Sequence, residues 1–250
     1  FAVYPVSSAE AILVATDTLG TSHPIISGEA LSTTAPFSAA SLPNSYILHM
    51  TGLAGIAADP NIGVLTFDGL GSVSGTLYEN QGGTLGTTAI SAAYFVDGTV
   101  RLTIAATHSN QNVGAHPFVA DIIPGISGTS GFLLSTDASV QSGALEFQAL
   151  NPPTSTFRTA NVVGPYFFGA DEQADAASTS TTGTVSATGT GNQAGNEDLN
   201  SATNALFPNQ GFPGSYSVSC NGSGNLGGEK VSVTNGKSVY SLDESPLDLH

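Results

Sequence analysis

The stretch GVLTFDGLGSVSGTLYEN (63–80) decides the fold. Two short alternating runs, GVLTFDG (63–69) and GSVSGTLYEN (71–80), meet at Asp68-Gly69, a tight-turn signal. That is the signature of paired antiparallel strands. The glycines of this stretch return further along the chain. Gly63, Gly69, Gly71 and Gly75 recur as Gly183, Gly189, Gly191 and Gly195, each 120 residues on (183 − 63 = 120). Phe37 and Tyr46 recur as Phe157 and Tyr166, and Asp17 of AILVATD recurs as Asp137 of GFLLSTD, at the same offset of 120. Positive φ and close strand approach are the expected roles of Gly69, Gly71 and Gly75.

Around this core the pattern stays β. Runs such as AVYPVS (2–7), AEAILVAT (9–16), PIISGEAL (24–31), SYILHMTG (45–52), TVRLTIAAT (99–107), PFVADIIPG (117–125), GFLLSTD (131–137) and GALEFQAL (143–150) are separated by Gly, Asn, Asp and Pro turns. Asp97-Gly98 and Asn221-Gly222 read as two-residue hairpin turns, and Asn235-Gly236 as another tight turn. The expected fold class is all-β: tandem antiparallel meander barrels or sandwiches. The repeat divides the chain into an N-terminal tail (1–35), a complete β domain (36–150) and a second β domain (151–250) lacking its last strands. The polar segment 171–210 is expected to hold long surface loops.

Composition narrows the function. The 250 residues carry 4 Lys plus Arg against 19 Asp plus Glu, a formal charge of −15. Nucleic-acid binding needs clustered cations, so it is excluded as an expectation, as is attraction to anionic membranes. No apolar run reaches the length needed to cross a bilayer as a helix, so no membrane insertion is expected. The sequence pI near 4.2 brings net charge toward zero in acid and eases self-association there. A single cysteine, Cys220, leaves stability to packing. The chain begins at Phe1 without a recognisable leader, which reads as a processed chain or a piece of a longer one. High Thr, Ser, Gly and Asn with few Lys suits an extracellular or cell-surface location.

No catalytic constellation stands out. His23, His49, His108, His116 and His250 show no metal-ligand spacing, no nucleophile elbow occurs, and the Gly-rich runs precede no helix. No enzyme, cofactor or metal site is therefore expected. The nearest approach to a calcium loop is GNEDLNSATN (195–204), which lacks the spaced EF-hand pattern.

The ends carry the strongest clue. Val239-Tyr240-Ser241-Leu242 parallels Val3-Tyr4-Pro5-Val6 at an offset of 236 (239 − 3 = 236). On this reading the last unit stops near the strand equivalent to AILVATD, and Phe1–Leu31 supplies the strands it lacks. Ile12, Leu13, Val14, Ile25, Ile26 and Leu31 are the candidate donor side chains; Val239, Tyr240 and Leu242 mark the candidate acceptor edge. Burying five such apolar side chains contributes on the order of 10 kcal/mol before ordering costs. Donation between molecules makes copies of the chain its own partners and propagates into a filament. Donation within one molecule and continuation into a longer array are the other outcomes of the same mismatch. The alternative function is a secreted adhesin-like module whose partners are glycans or other ligands.

The run TFDGLGSVSGTLYENQGG, followed by ISAAYFVDGTVRLTI and FLLSTD, resembles the repeats of large secreted soil-bacterial β-proteins built from Gly-rich units. That resemblance implies secretion and a repeat architecture, and it assigns no site residue.

Overall fold

The computed structural model describes residues 2–14, 16, 27–32, 37–42, 44–54, 57–81, 84–97, 101–105, 118–125, 128–136, 140–149, 156–172, 179–201, 205–227, 229–233 and 239–242. Strands dominate them, and no α-helix occurs among the described residues. Three sheets result, all antiparallel.

The first sheet holds β1 (Ala2–Pro5), β2 (Glu10–Val14) and β3 (Ser27–Leu31) in that order. The second holds β4 (Ser45–Ala54), β5 (Ala57–Ala58), β6 (Asn61–Phe67), β7 (Ser72–Gln81), β8 (Thr84–Val96), β9 (Arg101–Ala105), β10 (Phe118–Gly125), β11 (Gly128–Ser135) and β12 (Val140–Phe147). β5 is a short addition beside the end of β4. The other eight follow one another as neighbours, and β12 pairs back on β4 from Val140↔Leu53 to Phe147↔Tyr46. The meander is thereby a closed barrel, which removes its edges. The third sheet runs β13 (Val163–Glu172), β14 (Thr179–Thr188), β15 (Asn192–Ser201), β16 (Ala205–Val218), β17 (Ser223–Leu226), β18 (Glu229–Val233) and β19 (Val239–Leu242). It curls but stays open, with β13 and β19 each paired on one side only among the described residues.

The barrel core is the inward face predicted by alternation. Tyr46, Leu48, Leu65, Phe67, Leu77, Leu102 and Ile104 are all buried in it. Phe67 packs edge-on between Tyr46 (5.4 Å) and Tyr94 (4.9 Å). The Tyr94 hydroxyl donates to the Ala39 carbonyl at 3.0 Å, tying a 3-10 turn (Ala39–Ser41) over that end of the barrel. Burial pushes the Tyr94 phenol above its ordinary pKa.

The quoted stretch folds as β6, a turn and β7, with Leu65 opposite Gly75. A Cβ on Gly75 would overlap the Val64 carbonyl oxygen, so the two strands come too close there for any side chain. Gly69 and Gly71 adopt φ of 75° and 116°, the region glycine tolerates best. Asp68 closes the turn. Its Oδ1 accepts the backbone N–H of Leu70 (2.7 Å), Gly71 (2.9 Å) and Ser72 (2.9 Å). Those bonds, led by the one from Ser72, hold the Asp68 carboxyl below its ordinary pKa. A depressed carboxylate stabilises the fold above its unfolded pKa and loses that contribution as pH falls through the folded value. Asp68→Asn is therefore expected to flatten the acid limb of a stability-versus-pH curve below about pH 4. An acid limb identical to that of the parent chain in urea titrations would remove this role.

The open sheet repeats the barrel's early registers. Tyr46↔Leu65 and Val64↔Thr76 in β4–β6–β7 are matched by Tyr166↔Val185 and Thr184↔Asn196 in β13–β14–β15. Tyr94↔Ile104 is matched by Tyr216↔Leu226. Further on, Leu102↔Ala120↔Leu133 is matched by Gly224↔Val231↔Ser241. This corrects the expectation for Val239–Leu242. Their strand β19 stands where β11 stands, because β18 takes the position of β10 that the Val-Tyr pattern assigned to them. One strand position, that of β12, has no counterpart in the open sheet among the described residues.

The segment 171–210 is also corrected. Most of its described residues lie in the ten-residue strands β14 and β15 and in the start of β16, not in long loops. Its Thr and Ser alternate between a half-buried and an exposed face, and β-branched Thr suits a pleated surface whatever its polarity. Barrel and open sheet touch. β18 and β19 lie against β6, and Gln148 Nε2 donates to the carbonyls of Asn221 (2.9 Å) and Val233 (2.8 Å).

Candidate assembly site

Among the described residues, the three-stranded sheet pairs with no other sheet and the seven-stranded sheet is unclosed. In the small sheet β2 is central. It pairs with β1 through Leu13↔Val3 and with β3 through Leu13↔Gly28. Ile12, Leu13 and Val14 therefore already have strands on both sides. Leu31 lies in β3, one of the two edges; Ile25 and Ile26 fall outside the described residues. Val3, Tyr4 and Val6 are each more than half exposed. A three-stranded sheet with so little covered apolar surface is marginal by itself.

β3 relates to β2 as β12 does to β11 in the barrel. Leu13↔Gly28 in β2–β3 parallels Leu133↔Gly143 in β11–β12, with Leu133 120 positions after Leu13 (133 − 13 = 120). In the barrel, Gly143 also faces Met50 of β4. So β12 is the strand that sits between β11 and β4.

The open sheet has the corresponding gap between β19 and β13. Its inner face carries Tyr166, Phe168, Val185 and Phe212, each half-buried. Tyr46, the counterpart of Tyr166 in the closed barrel, is only 1 % exposed. The Phe168 and Phe212 rings meet edge-on at 5.9 Å. Burial pushes the Tyr166 phenol above its ordinary pKa. Tyr166 and Val239 pack against one small cluster with Phe157, Val162, Tyr216 and Val233, so the two edges curl around a common core. Tyr216 holds that core to the chain's turn, donating its hydroxyl to the Val162 carbonyl (2.5 Å) and accepting from the Gly189 N–H (2.6 Å). Val239 is half-buried at the β19 edge of the gap, and Tyr240 and Leu242 share its strand. The outer face leaves Phe167 87 % exposed, with Val163 and Leu206 also outside.

Sequence reasoning named the edge β19 but missed β13, the other side of the gap. The Tyr46/Tyr166 correspondence carried the signal, since Tyr46 lies on the strand that receives β12. The remaining candidates are dispersed. His23, His108, His116 and His250 lie outside the described residues, and His49 faces Glu146 at 3.8 Å on the barrel. GNEDLNSATN is not a loop where described: Asn196–Ser201 belong to β15, with Glu197 accepting from Thr181 (3.4 Å) and Asp198 from the Asn209 N–H (2.7 Å). Among the described residues no three His, Cys, Asp or Glu side chains converge, and no helix is long and apolar enough to cross a membrane. No family model matches the chain, and no curated protein or solved structure matches it.

Proposed function

We propose that this protein is a structural subunit of an extracellular filament or cell-surface array, joined head to tail by donation of β3 into the open sheet of the next copy. One observation carries the reading. The barrel closes with eight strands, while the corresponding registers of the open sheet stop at seven among the described residues, and β3 has the register of the strand that is lacking. In the joint, β3 exchanges β2 for two new neighbours, β13 and β19, and lays its inward side chains on Tyr166, Phe168 and Phe212. β2, with Ile12, Leu13 and Val14, stays outside the gap and is joined to the donor strand only through the chain. Main-chain hydrogen bonds supply the affinity and the aromatic floor the register. The contact is between different surfaces of each copy, so it does not close on itself.

Sedimentation velocity and negative-stain electron microscopy of the full chain test this. Polymers are expected, and an excess of a peptide spanning residues 24–35 is expected to cap them and return the material to small species. A monodisperse 25.1 kDa particle that is indifferent to the peptide would sink the filament reading. The same particle binding glycans through the aromatic floor would favour the adhesin-like module.

A further inference from the structure

The inside of the barrel is apolar over most of its length, but one end is not. Asp59, Asn61, Glu79, Thr88 and Gln141 are each at most 3 % exposed there. The registers place Asn61, Glu79, Thr88 and Gln141 on the inward face, and Asp59 reaches Gln141 through a hydrogen bond. Asn61 is directly opposite Glu79, and Thr88 is opposite Leu77, a core residue two positions before Glu79 on the same face. Asp59 precedes Asn61 by two positions, and Gln141 precedes the core residue Leu145 by four on β12.

Part of this cluster is fixed by hydrogen bonds. Gln141 Nε2 donates to Asp59 Oδ2 and to the Asp59 carbonyl, both at 2.7 Å. Asn61 Nδ2 donates to that same carbonyl at 2.9 Å. Asn61 therefore turns its amide nitrogen to Asp59, and its Oδ1 is left fully buried with no hydrogen-bond partner among the described residues. Thr88 Oγ1 is in the same condition. Native interiors satisfy such atoms with protein, water or an ion.

We propose that this end of the barrel binds one Ca²⁺ ion through the carboxylates of Asp59 and Glu79 and the neutral oxygens Asn61 Oδ1 and Thr88 Oγ1. The donor set is all oxygen, which selects a hard cation over zinc or copper. Two carboxylates balance the ion's charge in a dry interior. Gln141 is a positioning residue that aims the Asp59 carboxylate. The four ligands come from β6 with its lead-in, β7 and β8, so no local sequence motif announces them. The site is inside the barrel and does not depend on the filament reading.

Calorimetric titration of the full chain with CaCl₂, after EGTA treatment, reads this directly. One ion per chain is expected, with Kd on the order of 10⁻⁵–10⁻³ M and an upward shift of the melting midpoint. Glu79→Gln is expected to weaken binding by about 30-fold or more, Thr88→Val by roughly 3- to 10-fold, and Asn61→Asp to tighten it by adding ligand charge. Far-UV circular dichroism checks folding; should Glu79→Gln fail to fold, Thr88→Val and Asn61→Asp decide. Absence of heat and of a melting shift would overturn the proposal. So would calcium binding that Thr88→Val and Asn61→Asp leave unchanged, since that binding belongs to the exposed acidic side chains.

Discussion

Gly143→Ala is expected to open the barrel. Gly143 sits in β12 opposite Met50, in the middle of the seam that closes the barrel onto β4. A Cβ there would overlap the His49 carbonyl oxygen and lie 2.7 Å from Met50 Cα. Both obstacles are backbone, so no side chain can swing aside to relieve them. The strands must separate, which costs the seam its hydrogen bonds and exposes Leu48 and Leu145 beside it. Overpacking of a fixed core costs about 1–3 kcal/mol and more where backbone has to move, so a loss of about 3 kcal/mol or above is expected. Gly169→Ala is the control, because a Cβ there meets only the Thr181 carbonyl at 3.7 Å, an ordinary contact. Urea unfolding of the two variants separates them. Equal midpoints would mean that the seam tolerates a side chain and that closure does not depend on close approach at Gly143.

A disulfide ladder is expected from Ala30→Cys combined with Phe168→Cys in a Cys220→Ser background. In the barrel, Leu145 of β12 faces Leu48 of β4. Carrying that register to β3 and β13 places Ala30 opposite Phe168 in the proposed joint. Directly opposed residues of antiparallel strands have Cα atoms about 4.5–5.5 Å apart, inside the range a disulfide accepts. Mild oxidation should then convert the chain into covalent multimers on a denaturing gel. The pair Ala30→Cys and Phe167→Cys, with the second cysteine on the other face, should stay monomeric. A covalent monomer from the first pair would mean that each molecule closes its own gap, and no bond at all would remove β13 as an acceptor.

The strands of the barrel were legible because their core-facing residues recur at every second position, although β6 and part of β4 are buried on both faces. Leu65 and Phe67, then Val73 and Leu77, point inward as their spacing implies, and Gly69, Gly71 and Gly75 play the turn and close-approach roles their positions suggest. The open sheet was harder to read. Its β14 and β15 are mostly Thr, Ser, Gly and Asn, and a polar strand resembles a loop when composition alone is weighed. The Val-Tyr pattern at Val239 points to the wrong strand position because a match of a few residues is too short to fix strand order, which the registers set. The polar barrel end was illegible for a different reason. Asp59, Glu79 and Gln141 are unremarkable along the chain and meet only through the pairing of distant strands.

The sequence by itself determined that this is an all-β chain with tight Gly and Asp turns, since both follow from side-chain period and local backbone preference. Tertiary structure alone decided that one meander closes at β12–β4 while the other is open among the described residues, because closure depends on whether the first and last strands meet, and no local pattern encodes that meeting. The same long-range pairing decided which buried oxygens share the barrel end and which aromatic rings line the gap.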